Sequence, residues 1–313
     1  MQYYFAPLEG ITDSIYRQLH HKYFPGLHRY YMPFLSPTVH RSLTPKESRE
    51  LPLAHTLSYQ AVPQLLTKIS QDFLWMAEQC AQRGYREVNL NLGCPSGTVT
   101  AKGKGSGMLR NPDALDRFLD EIFSATTLVI SVKTRIGFTS SDEFPALMQI
   151  FNRYPIRQLT IHPRVRSAFY SGSVDMEAFT YAVKNARMPL CYNGDLVSMQ
   201  DIDTIKKTFP GVDSVMVGRG LIADPGMLTG GTSREVLKEF CDVLLETYIR
   251  EFGGARNAMF RMKEHWRHLV CKFDNAEKLS KQLRKTTDLQ EFIAITHRIF
   301  LECPMRSTVL PAW

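Results

Sequence analysis

Residues 87–95 carry the sequence Glu-Val-Asn-Leu-Asn-Leu-Gly-Cys-Pro, in which apolar and polar residues alternate up to a glycine and a proline. Such alternation is typical of a β-strand, and the glycine and proline mark the turn that ends it. Segments with the apolar period of a helix lie on either side, at residues 73–81 and 115–123. The stretch therefore predicts one strand between two helices.

The same unit of a β-rich run and a helical segment recurs over about 235 residues. The predicted strands are Tyr3–Leu8, Tyr30–Phe34, Ala61–Leu66, Glu87–Leu92, Leu128–Lys133, Gln158–His162, Pro189–Asn193 and Ser214–Val217. Strands that alternate with helices pair in parallel. Eight such units predict an α/β fold, a closed (β/α)8 TIM barrel, with a doubly wound open sheet as the alternative.

After Pro225 the strand pattern stops, and the remaining chain has the patterns of helices. One apolar stripe has spacings of three and four residues, and it consists of Ala255, Met259, Met262, Trp266, Leu269 and Phe273. We predict two domains, a barrel over residues 1–235 and a small all-α helical domain over residues 236–313. Capping boxes are predicted at Thr44–Glu47, with proline following the cap, and at Thr287–Gln290.

Composition restricts the class of protein. Of the 313 residues, 44% are hydrophobic and 22% charged, which excludes a disordered, collagen-like or coiled-coil chain. No run approaches the roughly 18 apolar residues that cross a bilayer, and the first residues lack the regions of a signal peptide. We therefore expect a cytoplasmic protein with no membrane association. The net charge of +7 is only a weak indication of a polyanionic partner.

Six cysteines are spread over the chain without a Cys-x-x-Cys pair. This spacing fits neither a disulfide framework nor a zinc or iron–sulfur site, so we predict no metal. Cys94 differs from the others because it follows a strand end and precedes a proline and a glycine-rich loop, Gly103–Gly107. A thiol with an ordinary pKa of ~8.5 is mostly protonated at neutral pH and can donate a proton. We expect the loop to act as a lid.

Barrel enzymes place their active sites at the carboxyl ends of the strands. Asn89 and Asn91 share one face of the fourth predicted strand, Glu87–Leu92. Lys133 and Arg135 share one face at the end of the fifth predicted strand. A lysine inside the barrel is costly unless it faces an anion or an electron-rich ring edge. Lys133 therefore predicts a bound polar group.

Small residues follow strands 7 and 8, in Asn193-Gly194-Asp195 and Gly218-Arg219-Gly220. Their exposed backbone N–H groups predict the phosphate site that is usual for this fold. Gln64 and His162, at the ends of strands 3 and 6, supply further hydrogen bonds. A flat polar heterocycle with a phosphate tail fits this set, and flavin mononucleotide (FMN) has that shape.

Several segments together resemble the tRNA-dihydrouridine synthase family, in the right order and over nearly the whole chain. They are residues 6–13 (APLEGITD), 91–96 (NLGCPS), 131–135 (SVKTR), 162–164 (HPR), 193–195 (NGD), 218–220 (GRG) and 261–266 (RMKEHW). The Asn-x-Gly-Cys-Pro segment combined with a basic helical tail is the specific part. The sequence departs from the family pattern at Leu8, Asn89 and Pro163, and Lys102 and Lys104 add unusual positive charge near Cys94.

The resemblance implies a cofactor, FMN, with NADPH as the electron donor. The residues that it implies around the flavin ring are Pro7 and Leu8, through their backbone, with Gln64, Lys133 and His162. Those that it implies at the phosphate are Asn193, Gly194, Asp195, Gly218 and Arg219.

The resemblance also implies the reaction. Hydride from reduced FMN would add to C6 of a uracil, and Cys94, the catalytic residue, would give a proton to C5. The uridine would belong to a tRNA, in the D-loop, and would leave its stack to enter the pocket.

Substrate-binding residues are predicted in both domains. Asn91 would lie near the base, with Arg135, Arg164 and Tyr170 beyond it. In the helical domain the predicted RNA contacts are Arg256, Arg261, Lys263 and Arg267. No protein partner is predicted, and the chain is expected to be a monomer. Two alternatives remain open, an FMN barrel that reduces a free pyrimidine or an enone, and a non-catalytic tRNA-binding protein.

Overall fold

The computed structural model describes residues 1–38 and 40–311. Within them, parallel strands form one sheet in the order β3-β2-β1-β9-β8-β7-β6-β5-β4. The strands are β1 Gln2–Phe5, β2 Arg29–Tyr31, β3 Ala61–Val62, β4 Gln64–Leu65, β5 Glu87–Leu92, β6 Val129–Arg135, β7 Leu159–His162, β8 Leu190–Tyr192 and β9 Ser214–Val217. β5 and β9 have the predicted bounds.

The first and last strands in this order are two halves of one predicted strand, interrupted at Pro63. Proline has no N–H to give to a ladder, which splits the strand into β3 and β4. β3 pairs with β2, and β4 pairs with β5. Because the two halves are joined through Pro63, the sheet closes on itself, and the predicted α/β barrel is confirmed.

Helices follow most strands and continue to the C-terminal region. They are α1 Ser14–Tyr23, α2 Pro45–Glu50, α3 Ser70–Gln82, α4 Gly97–Thr100, α5 Pro112–Ala125, α6 Phe144–Phe151, α7 Met176–Asn185, α8 Met199–Thr208, α9 Arg219–Ala223, α10 Arg234–Glu251, α11 Ala255–Leu269, α12 Glu277–Lys285 and α13 Leu289–Glu302. No helix in the described residues is long and apolar enough to cross a membrane. The predicted helical C-terminal region is confirmed.

Helix starts test the two predicted capping boxes. Thr44 caps α2 as predicted, with reciprocal hydrogen bonds to Glu47 and with Pro45 in the first turn. The box predicted at Thr287–Gln290 is wrong by one residue. Asp288 is the cap of α13, and its carboxylate accepts the Glu291 N–H at 2.8 Å. A carboxylate at this position also interacts favourably with the helix dipole.

Two compact units divide the described residues, and neither is continuous in sequence. The first, called here the strand unit, contains Met1–Pro7, His28–Gly194 and Thr204–Met216. The second, called the helical unit, contains Leu8–Leu27, Asp195–Asp203 and the chain from Val217 onward. The domain boundary between residues 235 and 236 stays a prediction.

Each unit has its own apolar core. In the strand unit, side chains on the strand face opposite to Asn89 and Asn91, such as Leu90, Val132 and Ile161, are fully buried. In the helical unit, the stripe predicted on α11 is largely buried through Met259, Met262 and Trp266. The core of each unit follows the apolar periodicity of its elements.

Candidate active site

A chain of amide hydrogen bonds crosses three strands of the strand unit. Asn91 Nδ2 donates to Gln64 Oε1 at 2.7 Å, and Gln64 Nε2 donates to Asn89 Oδ1 at 2.8 Å. Asn89 Nδ2 then donates to Ser131 Oγ at 2.9 Å. The alternation in β5 puts both asparagines on one face, as predicted. Their buried amides form hydrogen bonds with the side chains of Gln64 and Ser131 on the adjacent strands. This network holds Asn91 in one orientation.

Asn91 positions the backbone around Cys94. Its Oδ1 accepts the N–H groups of Gly93 at 3.1 Å and of Cys94 at 2.9 Å. An asparagine oxygen that accepts bonds from residues two and three positions later is a standard way to form a tight turn. The side chain of Asn91 therefore connects the interior of the barrel to the cysteine loop.

The glycine-rich loop is bound to the same turn from its other side. The carbonyl of Cys94 accepts from Ser106 Oγ at 2.7 Å and from Ser106 N at 3.2 Å. Gly105 has a positive φ of 56°, and a Cβ there would lie 3.0 Å from Cys94 Cβ. Gly105, Ser106 and Gly107 are all buried. In this structure the residues expected to form a lid are a packed support for Cys94.

Lys133 lies beside Asn91, because the two residues are partners in the register of β5 and β6. Burial, with a further contribution from the nearby positive charge of Arg135, lowers the pKa of Lys133 to about 8. Cys94 is close enough for its thiolate form to act in the opposite direction. Within the described residues no carboxylate pairs with Lys133. A partly buried cation of this kind fits an anion or an electron-rich ring edge.

Arg135 has a different role from that of Lys133. Its Nε donates to the Gly93 carbonyl and its Nη1 to the Val165 carbonyl, both at 3.0 Å. The side chain is 1% exposed, and its burial lowers the pKa of the guanidinium to about 10. Arg135 therefore holds the loops after β5 and β7 in place, while its role in substrate binding stays a prediction.

The predicted residues of the β7 loop form one group. Arg164 Nη1 lies 3.2 Å from His162 Nε2, and Arg164 Nη2 donates to the Gly172 carbonyl at 2.6 Å. The ring of Tyr170 lies 5.9 Å from that of His162 and is 46% exposed. The Arg135 guanidinium lies 5.4 Å from the Tyr170 ring. His162 and Arg164 are buried, so Tyr170 is the exposed member of this group.

The predicted phosphate residues fall in both units. In the strand unit, Asn193 Nδ2 donates to the Met216 carbonyl at 2.7 Å. A Cβ at Gly194 would lie 2.9 Å from Val174 Cγ1 and 3.0 Å from the Tyr192 hydroxyl oxygen, so a side chain here would force its neighbours to shift.

The other predicted phosphate residues lie in the helical unit. Arg219 Nη2 and Asp195 Oδ1 form an ion pair at 3.2 Å, and Gly218 immediately precedes α9. In the loop after β1, the Leu8 N–H donates to Thr12 Oγ1 at 2.9 Å. The Leu8 carbonyl accepts from Ile11 N and Thr12 N, each at 3.0 Å. The backbone that was predicted to contact the cofactor is thus fixed by its own loop.

Comparison with known proteins identifies the family to which this chain belongs. The model of the dihydrouridine synthase (Dus) family matches residues 4–303. The chain belongs to the dihydrouridine synthase family. The predicted resemblance is therefore confirmed.

Two named relatives are similar over most of their length. The protein named "Probable tRNA-dihydrouridine synthase 1" of Synechocystis sp. is 27% identical, over 91% of this chain and 82% of the relative. The tRNA-dihydrouridine synthase B of Pasteurella multocida is 26% identical, over 84% and 81%. Among solved structures, morphinone reductase in complex with tetrahydroNAD has a TM-score of 0.50 at 10% identity, over 72% of this chain and 85% of that one. At this identity the last similarity shows the fold alone.

The four basic residues predicted to bind RNA differ in their surroundings in this member of the family. Arg261 donates to the Gly10 carbonyl and lies 3.7 Å from Asp13 Oδ2, all within the helical unit. Lys263 donates to the carbonyl of Arg284 in the last turn of α12 and to that of Thr286 just after it. Arg256 and Arg267 are exposed. Arg261 and Lys263 thus have contacts within the helical unit, and RNA binding by any of the four stays a prediction.

Arg166 is a residue of this site that the sequence did not predict. It donates to the Pro95 carbonyl and to Thr100 Oγ1, each at 3.1 Å, and its guanidinium lies 4.8 Å from the Phe169 ring. It links the β7 loop to the loop that carries Cys94. An arginine in an irregular loop has no periodicity to distinguish it, so no sequence signal pointed to this role.

Proposed function

We propose that this protein is an FMN-dependent, NADPH-consuming tRNA-dihydrouridine synthase. It reduces the C5–C6 double bond of specific uridines in tRNA, in the D-loop. The observation that carries the proposal is Cys94, held by Asn91 and Ser106 next to Lys133, in a barrel of the dihydrouridine synthase family. The proposed cellular location is the cytoplasm, where tRNA is the substrate, and the proposed active species is a monomer.

The residues present fit FMN. Lys133 is a partly buried cation with no carboxylate partner in the described residues, and it suits the electron-rich edge of the flavin ring. Gln64 and His162 would complete the contacts to the ring. Gly194, where a Cβ would crowd Val174 and Tyr192, suits close approach of a phosphate to the backbone. The other proposed phosphate residues are Asn193, Asp195, Gly218 and Arg219.

The chemistry divides between cofactor and protein. When bound, FMN supplies the hydride that C6 of the uracil receives, and NADPH provides the electrons. Cys94 donates the proton that C5 receives, from a thiol whose backbone is fixed by hydrogen bonds on both sides. Asn91 and Arg135 hold the loop that presents this thiol, and Tyr170 offers an exposed ring 5.4 Å from the Arg135 guanidinium.

The substrate must reach this thiol from a folded RNA. Extrusion of a uridine from its stack costs a few kcal/mol, which contacts to the RNA backbone can offset. The exposed Arg256 and Arg267 are the proposed contacts in the helical unit. Binding through several phosphates should weaken steeply as the salt concentration rises.

Activity and flavin content test the proposal together. Purified protein should show flavin absorbance and, with NADPH, should form dihydrouridine in unmodified tRNA, as measured by mass spectrometry. The Cys94→Ala variant should retain flavin and lose about 10²–10⁴-fold in turnover, because it lacks the proton donor. The matched Cys80→Ala variant removes a buried cysteine of α3 and should keep the wild-type rate.

Three results would contradict the proposal in different ways. Colourless protein that leaves tRNA unmodified would exclude the reaction. Reduction of a free pyrimidine or an enone, with no effect on tRNA, would favour the small-molecule alternative. Equal turnover of Cys94→Ala and wild type would exclude Cys94 as the acid.

A further inference from the structure

Three lysines of the strand unit converge beside the loop that carries Cys94. Lys102 and Lys104 belong to this loop, and Lys68 follows β4. The side chain of Lys68 passes over Gly103, where a Cβ would lie 3.4 Å from Lys68 Cδ and 3.5 Å from Lys68 Nζ. Gly103 has a positive φ of 69°, so it serves both the turn and this close approach. Lys68, Lys102 and Lys104 are called here the lysine cluster.

The positive charge of the lysine cluster is largely uncompensated. Lys104 Nζ donates to Ser36 Oγ at 3.0 Å. Burial lowers the pKa of Lys104, and the charges of Lys102 and Lys68 lower it further against the opposing effect of Asp72. In the described part of the chain, Lys68 and Lys102 form no ion pair.

The nearby carboxylates already have other partners. Asp72, in the first turn of α3, forms an ion pair with Arg41 at 3.2 Å. Glu47 accepts the N–H of Thr44 at 2.8 Å and that of Ser36 at 3.3 Å. Lys104 is therefore influenced by the charges of two other lysines and by one carboxylate, Asp72, which already pairs with Arg41. The surroundings therefore favour the arrival of another anion.

The lysine cluster is joined to the reactive thiol through the packed backbone of the same loop. Lys104 directly precedes Gly105 and Ser106, the residues that pack on Cys94 and bond to its carbonyl. An anion bound by the lysines would thus be held by the loop that carries Cys94. This arrangement suits a group that is covalently attached to the reacting base.

We infer that Lys68, Lys102 and Lys104 bind a backbone phosphate of the RNA substrate, next to the uridine that is reduced. The inference rests on the proposed function and adds to it a contact that positions the nucleotide at the active site. Lysines are compact charges on flexible stems, which suits a phosphodiester without selecting a base sequence. Contacts of this kind fix the register of a nucleic acid on a protein.

The experiment uses the flavin-loaded full chain with Lys102 and Lys104 both changed to alanine. The matched control changes Lys206 and Lys207, two exposed lysines in the last turn of α8, also to alanine. The Lys102→Ala/Lys104→Ala variant should bind tRNA about 10-fold more weakly than wild type. The plot of the log association constant against log salt concentration should become less steep by about one, as expected for the loss of one phosphate contact. Flavin content and melting temperature should equal those of wild type, and the control should bind tRNA as wild type does.

Two outcomes would overturn the inference. Equal tRNA affinity and salt slope in the variant and in the control would exclude a phosphate contact. A raised KM for NADPH with unchanged tRNA binding would assign the lysine cluster to the phosphates of the dinucleotide instead. Direct tRNA binding separates this test from the proposed function, which fails only if wild-type protein does not reduce uridine in tRNA.

Discussion

At the scale of single residues, Asn91 has the most informative contacts. The sequence predicted its position on the inner face of β5, and the structure shows what each atom of its amide does. Nδ2 bonds to Gln64, while Oδ1 accepts the N–H groups of Gly93 and Cys94. Asn91 is therefore a positioning residue for Cys94, and its predicted contact with the substrate base stays a prediction.

The Asn91→Ala variant tests this role. Without the amide oxygen, two backbone N–H groups lose their acceptor and the cysteine turn can shift. We expect kcat for uridine reduction to fall about 10–100-fold, since a small misplacement of a reacting group has effects of that size. The KM for tRNA should change little. Asn91→Asp keeps an acceptor oxygen and should recover much of the rate, whereas an equal loss in both variants would contradict the positioning role.

At the scale of elements, the sequence predicted where helices lie better than how they begin. The box at Thr44 was confirmed, but that of α13 was displaced from Thr287 to Asp288. Both residues are reasonable caps, and sequence spacing alone does not separate them. Thr286 is buried and its hydroxyl bonds to Glu291, which sets the register of this helix start. A tertiary contact thus selects between two local signals.

Substitutions at the start of α13 distinguish the two caps. Asp288→Ala should lower the free energy of unfolding by about 1 kcal/mol, because the Glu291 N–H loses its acceptor. Thr287→Ala, at an exposed position one residue earlier, should have little effect. Asp288→Asn keeps an acceptor and should stay close to wild type. Urea denaturation measures all three, and a larger loss in Thr287→Ala than in Asp288→Ala would contradict the observed cap.

At the scale of the whole molecule, charge and pH response differ along the chain. Of the net charge of +7, the last 74 residues carry +3, which follows from 12 basic and 9 acidic residues.

The same region contains two buried histidines of the helical unit, His265 and His268, and His20 of α1 is a third. Burial lowers the pKa to about 3 for His20 and His265, and to about 4 for His268. All three are therefore neutral in the folded protein at neutral pH.

Acid should destabilise the protein through these imidazoles. Their pKa values are lower in the folded chain than the ordinary value of 6.5, so below that pH the unfolded chain binds more protons. The free energy of unfolding is therefore unaffected by these imidazoles above pH 6.5. It decreases as the pH falls from 6.5 toward their folded-state pKa values of about 4 and 3. Each contributes a slope of up to about 1.4 kcal/mol per pH unit.

Urea denaturation between pH 7 and 5 measures this slope. His265→Gln removes one such imidazole, so it should lower the slope by up to about 1.4 kcal/mol per pH unit, whatever its effect on absolute stability. His297→Gln, which changes an exposed histidine of α13, should leave the slope as in wild type. An unchanged slope in His265→Gln would show that this imidazole is not held neutral by burial.

The amino-acid sequence by itself determined the barrel, the helical C-terminal region and the strand ends where polar residues collect. It could do so because apolar periodicity, turn residues and caps act over a few neighbouring positions. Only the tertiary structure decided which polar groups meet. Arg261 and Gly10 are 251 residues apart, yet the arginine donates to that carbonyl, and Arg166 joins two loops that are 71 residues apart at Pro95. Such partners depend on how distant segments pack, because a buried charge must find its acceptors wherever the fold brings them.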